Sequence, residues 1–185
     1  MVFEIFLEDC LNVMARMPNS SVDLIFTDPP YGHSNNSNND LIHRLELVKG
    51  EKLQIQESRP INNDGPEANI IFKKFLLQAK RILKEWGVCC CCCGGGGGPD
   101  PQFARWSLWI NKVFKFKQMI IFDKGKIGLG WHYRRSYECI LVAQKGNSCK
   151  WYDTTDRIEN IIRPGDYGIK KIVPNKKQHP TEKCP

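Results

Sequence analysis

With 185 residues, 41% of them hydrophobic, the chain can bury one sizeable core. No stretch approaches the roughly 18 to 20 consecutive apolar residues of a membrane span, and the opening Met1–Asp9 alternates with acidic residues and has no basic leader, so a cytoplasmic protein without a membrane partner is expected. The formal charge of +7 favours a polyanionic partner.

Phe3, Ile5 and Leu7 alternate as a strand would, and Asp9 can cap a short helix carrying Leu11, Met14 and Met17 that stops at Pro18. Val22–Thr27 is apolar apart from Asp23, the pattern of a central parallel strand covered on both faces. It delivers Asp28 to its carboxyl end, where open α/β sheets bind ligands.

Asp28-Pro29-Pro30-Tyr31 follows at once. An exocyclic amine on a nucleobase has its lone pair delocalised into the ring, so an acceptor must draw its protons away before nitrogen can attack an electrophilic methyl. The Asp28 carboxylate and the Pro29 carbonyl suit that role. Pro29 and Pro30 stiffen the backbone and remove two N–H donors, and the Tyr31 ring offers a face on which an extruded base can stack. Stacking of this kind is worth roughly 1 to 3 kcal/mol per base, comparable with the cost of unstacking.

Residues 32–58, rich in Asn, show no sustained period and read as a mobile loop beside this turn, a candidate lid or DNA-contacting segment. Pro66 opens an amphipathic helix with the apolar stripe Phe72, Phe75, Leu76, Ala79, Ile82 and Leu83. Lys73, Lys74, Lys80, Arg81 and Lys84 occupy its remaining surface, read as a solvated face. The strand Val88–Cys93 contains five consecutive cysteines, whose side chains alternate between faces and cannot converge on one ion. Nine cysteines therefore read as buried small hydrophobes in a reducing compartment, with no metal site.

Gly94–Gly98 reads as a flexible loop near the substrate edge, and Pro101–Val113 as a helix with Phe103, Trp106, Ile110 and Val113 on one face. Phe116–Asp123 and Ser136–Gln144 read as strands. Between them, Lys124–Arg135 is cationic, glycine-rich and aromatic. Its Lys124, Lys126, Trp131, His132, Arg134 and Arg135 are the best candidates for contact with DNA phosphates and bases. The last forty residues are polar and basic, with Trp151, Ile161, Ile162 and Ile172 as their few apolar anchors.

Leu7–Leu11 and Met17–Gly32, followed in order by Lys80–Lys84, Arg134–Ala143 and His179-Pro180-Thr181-Glu182-Lys183, closely resemble amino-directed DNA methyltransferases of the permuted type, in which the catalytic motif precedes the cofactor motif. The resemblance implies a doubly wound, Rossmann-like α/β sheet, circularly permuted, with S-adenosyl-L-methionine as cofactor and double-stranded DNA as partner. It implies catalytic roles for Asp28, Pro29, Pro30 and Tyr31, and cofactor roles for Asp9, Cys10 and Asp28 together with His179, Thr181 and Lys183. Asp at the first motif position favours adenine N6 over cytosine N4, by analogy within the family. The implied organisation is a catalytic domain over 1–145, a target-recognition segment over 146–178 and the start of a cofactor motif over 179–185.

Two departures stand out. Lys84-Glu85-Trp86-Gly87 replaces the family's Lys-Pro-Gly turn, with Gly87 expected to supply the left-handed residue that ends the helix. The family's Phe-x-Gly-x-Gly loop does not follow Lys183, so the cofactor site is expected to be incomplete at the C-terminus. The alternatives are then a catalytically incomplete DNA-binding remnant, or one part of a split enzyme completed by a C-terminal segment or by homo-oligomerisation. Methylation of an amide nitrogen in protein or RNA is a third reading. A bacterial or phage-type intracellular enzyme, as in restriction-modification, is the expected setting.

Overall fold

The computed structural model describes residues 3–32, 47–48, 51–52, 62–93, 102–125, 136–147 and 158–163. Helix α1 (Cys10–Arg16) is capped as its sequence predicts, with an Asp9 carboxylate oxygen accepting from the Leu11 amide at 2.7 Å. Strand β1 (Val22–Thr27) follows. Within the segment read as a loop lies a small antiparallel hairpin, β2 (Leu47–Val48) with β3 (Glu51–Lys52). Helix α2 (Ala68–Ile82), strand β4 (Leu83–Cys93), helix α3 (Gln102–Val113), and strands β5 (Lys115–Asp123), β6 (Tyr137–Gln144) and β7 (Ile161–Ile162) complete the described chain.

The sheet is mixed, in the order β1-β4-β6-β5-β7. β1 runs parallel to β4, with Phe26 opposite Cys90 and Thr27 opposite Cys91, whereas β6 is antiparallel to both β4 and β5. β7 lies parallel to β5 and is anchored by the Ile121 amide donating to the Asn160 carbonyl at 2.8 Å. The parallel β1–β4 pair requires a crossover, which α2 supplies.

One core joins the helices to the sheet. Met14 of α1, Phe72, Phe75, Leu76, Ala79 and Ile82 of α2, and Trp106 and Ile110 of α3 pack with Cys89, Cys91, Cys93, Cys139, Leu141 and Ala143. Opposite residues of an antiparallel pair share a face, so the registers Cys89–Ala143, Cys91–Leu141 and Cys93–Cys139 place alternate thiols on the helix-covered side. Phe72 and Trp106 stack with centroids 3.8 Å apart, and the indole N–H donates to Asn69 Oδ1 at 3.0 Å, fixing α3 on α2.

Four sequence expectations are corrected. Residues 3–7 form no strand; Phe3, Ile5 and Leu7 stand exposed, because among the described residues no strand lies beside them to turn their alternation into a buried face. β1 is the terminal strand of the described sheet, paired only with β4, and Leu24 and Phe26 are 58% and 64% exposed, so it is not covered on both faces. Gly87 does not adopt the left-handed conformation; Trp86 does, at φ 65°, while α2 closes on the extended Leu83. Gly87 is needed for space instead: a Cβ there would lie 2.9 Å from both Leu83 Cδ2 and the Lys84 carbonyl.

The fourth correction concerns the basic face of α2. Arg81 is not solvated: its guanidinium donates to the carbonyls of Met14 and Met17, at 2.5 and 2.7 Å, and to Asn19 and Gln78. It thereby adds a second donor to the Met14 carbonyl, which already accepts from the Met17 amide, and caps the Met17 carbonyl just past α1. Lys84 pairs with Asp23 at 2.7 Å, and Lys73 sits 4.2 Å above the Trp109 ring.

Candidate active site

β1 carries the chain to the carboxyl edge of the sheet, where Asp28 is exposed and Pro29, Pro30 and Tyr31 are half-buried. The Tyr31 hydroxyl donates to Asp28 Oδ1 at 2.5 Å, so the four-residue turn closes on itself. Burial, and then the neighbouring Asp28 carboxylate, push the Tyr31 phenol far above its ordinary range. Tyr31 is thus a neutral donor that orients the carboxylate, not a base.

The turn is also held from outside. Gly32, at φ +73°, donates its amide to the buried Asp64 Oδ1 at 2.7 Å, and the Tyr31 carbonyl accepts from the side-chain amide of the buried Gln102. Asp64 precedes α2 in Asn62-Asn63-Asp64-Gly65-Pro66, and Gln102 is the first residue of α3. Neither was singled out in the sequence. The available signals were a turn-forming cluster and a polar residue at a helix start, both of which ordinarily serve local caps.

Asp9 and Cys10, expected at the cofactor, lie at the start of α1, both exposed. One Asp9 oxygen is committed to the Leu11 amide, and the other makes no hydrogen bond among the described residues. Partial burial, and then the Asp9 carboxylate, raise the Cys10 thiol, which disfavours a thiolate there. Of the DNA-contact candidates, Lys124 is described: its ammonium pairs with Glu138 at 2.7 Å and its amide donates to the Ser136 carbonyl, which ties β5 to β6. Lys126, Trp131, His132, Arg134 and Arg135, the Gly94–Gly98 run, and His179, Thr181 and Lys183 lie outside the described residues. Among the described residues no cluster of His, Cys, Asp and Glu could hold a metal ion, and no helix is long and apolar enough to cross a membrane.

The mixed sheet with its helices matches the fold class of S-adenosylmethionine-dependent methyltransferases. The PvuII DNA methyltransferase, cytosine-N4-specific, is similar in structure with a TM-score of 0.57 and 16% identity, over 85% of this chain and 55% of that one. TTHA0409, a proposed DNA modification methylase of Thermus thermophilus, is similar with a TM-score of 0.52 and 19% identity, over 80% of this chain and 56% of that one. Its complex with S-adenosyl-L-methionine gives a TM-score of 0.51 at 19% identity, over 78% and 56%. The chain thus spans about half the length of these structures. No curated protein matches it in sequence. The DNA methylase family model, N6_N4_Mtase, matches residues 22–183, and the chain belongs to that family.

Proposed function

We propose that the chain carries the catalytic half of a DNA methyltransferase that transfers a methyl group from S-adenosyl-L-methionine to the exocyclic amine of a flipped base, adenine N6 in the first instance. The observation that carries this reading is the Asp28–Tyr31 hydrogen bond at the carboxyl end of β1. It sets an acceptor and a stacking ring side by side, where an amine held against the ring can lose proton density to Asp28 and to the Pro29 carbonyl. The cofactor supplies the electrophilic methyl. The free Asp9 oxygen and the exposed start of α1 suit hydroxyl and amine donors of a nucleoside, and His179, Thr181 and Lys183 would serve its methionine end.

Lys126, Trp131, His132, Arg134 and Arg135 are assigned to double-stranded DNA, with 146–178 as the target-recognition segment. The Lys124–Glu138 pair braces the base of that arm. The outer edge of β1, unpaired among the described strands, and the exposed Leu24 and Phe26 favour a complementing segment that completes the sheet beside the catalytic turn. A nucleic-acid enzyme of this kind is placed inside the cell.

The test is methyl incorporation from labelled S-adenosyl-L-methionine into unmethylated DNA by the chain with a segment carrying Phe-x-Gly-x-Gly appended or supplied, with the product nucleosides separated by mass spectrometry. N6-methyladenine supports the reading as stated, and N4-methylcytosine moves it to the cytosine branch. Asp28→Ala should abolish transfer while nonspecific DNA binding stays close to wild type. Undiminished turnover of Asp28→Ala would remove the carboxylate from the chemistry.

A further inference from the structure

The Tyr31 carbonyl and the Gly32 amide are the two polar ends of one peptide group, and they point to opposite sides of it. Gln102 Nε2 donates to the first, and Asp64 Oδ1 accepts from the second at 2.7 Å. The two side chains come from different elements, the turn before α2 and the start of α3, and lie 32 and 71 residues along the chain from their partners. Both are buried, at 1% exposure for Asp64 and 6% for Gln102. We infer that Asp64 and Gln102 are positioning residues that hold the plane of the Tyr31–Gly32 peptide, and through it the direction of the Tyr31 ring and hydroxyl toward Asp28.

A peptide plane held at one end can still rock about its neighbouring ψ and φ angles. Held at both ends, it fixes ψ of Tyr31 and φ of Gly32 together. Gly32 sits at φ +73°, and a Cβ there would come within 3.3 Å of the Gly65 carbonyl, so glycine permits the clamped geometry without itself enforcing it. The enforcement comes from the two side chains. Gln102 spends its amide on this one contact: its Oε1 is buried with no hydrogen-bond partner among the described residues, while its Nε2 serves the Tyr31 carbonyl. Its orientation follows from the Tyr31 carbonyl, which requires the NH₂ end of the amide to face the turn. Asp64, as an acceptor-only carboxylate, reads the opposite end of the same peptide.

This inference rests on the methyltransferase reading for its functional consequence, but the clamp itself is testable without it. The full chain would be labelled with ¹⁵N and ¹³C and compared as wild type, Asp64→Ala, Asp64→Asn and Gln102→Met. Asp64→Ala should speed hydrogen exchange of the Gly32 amide by on the order of tenfold or more while core amides of α2 keep their protection. Asp64→Asn, which retains an acceptor oxygen, should restore it. Gln102→Met should shift the Tyr31 carbonyl carbon while core amides of α2 and α3 keep their protection.

In methyl-transfer assays with the same segment supplied, Asp64→Ala and Gln102→Met should lower kcat by on the order of 10- to 100-fold, with KM for S-adenosyl-L-methionine within about threefold, because a misaimed acceptor is felt in the transition state and not in cofactor binding. Unchanged Gly32 exchange in Asp64→Ala, with an unchanged Tyr31 carbonyl in Gln102→Met, would overturn the clamp. Should Asp64→Ala fail to fold, Gln102→Met decides through the same carbonyl shift. A wild-type chain that transfers no methyl group even with a segment carrying Phe-x-Gly-x-Gly supplied, while both spectroscopic effects appear, would sink the methyltransferase reading and leave the clamp standing.

Discussion

Residues of one type serve unlike purposes in this chain. Gly32 takes a left-handed turn at φ +73°, whereas Gly87 makes room for packed atoms on β4. At Gly87 the obstacles to a methyl group are the Lys84 carbonyl and Leu83 Cδ2, both at 2.9 Å, with the Asp23 carbonyl at 3.2 Å. Two of these are backbone, so the clash cannot be relieved by a rotamer change. Gly87→Ala should therefore destabilise the fold by about 1 to 3 kcal/mol in urea unfolding; an unaltered midpoint and slope would show that the strand shifts freely. Sequence spacing identified Gly87 as special but assigned the wrong reason, since the left-handed residue is its neighbour Trp86. Asp28 and Tyr31 were legible because their chemistry is local to four residues. Asp64 and Gln102 were not, because their function exists only once distant elements meet.

At the scale of elements, the cysteine strand shows what a thiol-rich β-strand costs in base. The Cys90 thiol is pushed up to about 11 by burial and by its neighbours Cys89 and Cys92. Cys91 is raised further, through its hydrogen bond with Cys89, whose sulfur lies 3.6 Å away, and through burial. The folded chain therefore keeps protons that the unfolded chain releases near an ordinary cysteine pKa of about 8.5. With more protons bound in the folded state, stability falls as pH rises; the contribution is full below about pH 8.5 and is lost as pH climbs toward and past 11. Unfolding free energies of the reduced protein should decline across this window, and Cys90→Ala should make the decline shallower. Parallel slopes for the variant and wild type would exclude Cys90 as a source.

Periodicity read the elements around this strand well. The stripe of α2 and the Trp106–Ile110 face of α3 are buried as their spacing implies, since an amphipathic pattern encodes which face is covered. It does not encode whether a neighbouring strand exists. That is why the alternation of residues 3–7 and the apolar run of β1 were read as more enclosed than they are.

For the molecule as a whole, the open edge of β1 is the feature with the largest consequence for handling. Leu24 and Phe26 are exposed on a strand whose outer backbone groups have no ladder partner among the described elements, and such edges pair with whatever strand is offered. The isolated chain should self-associate with rising concentration in sedimentation velocity. Phe26→Lys should suppress that association, and a complementing segment that restores methyl transfer should yield a one-to-one complex. A clean monomer at all concentrations, with a normal unfolding transition, would mean that the edge is already protected. The charge of +7 was the one global property that pointed to DNA, yet it could not say which surface meets it.

The reach of the clamp bears on how the protein is made. Asp28, Tyr31 and Gly32 leave the ribosome before α3 does, so one hydrogen bond that sets their geometry waits for a residue 71 positions later, on the helix that Trp106 stacks against Phe72. Local helices form in microseconds or less, while chain emerges at about 5 to 20 residues per second. For several seconds of synthesis the nascent turn is thus present in sequence but unset in shape. Setting that shape falls to elements made after the turn itself.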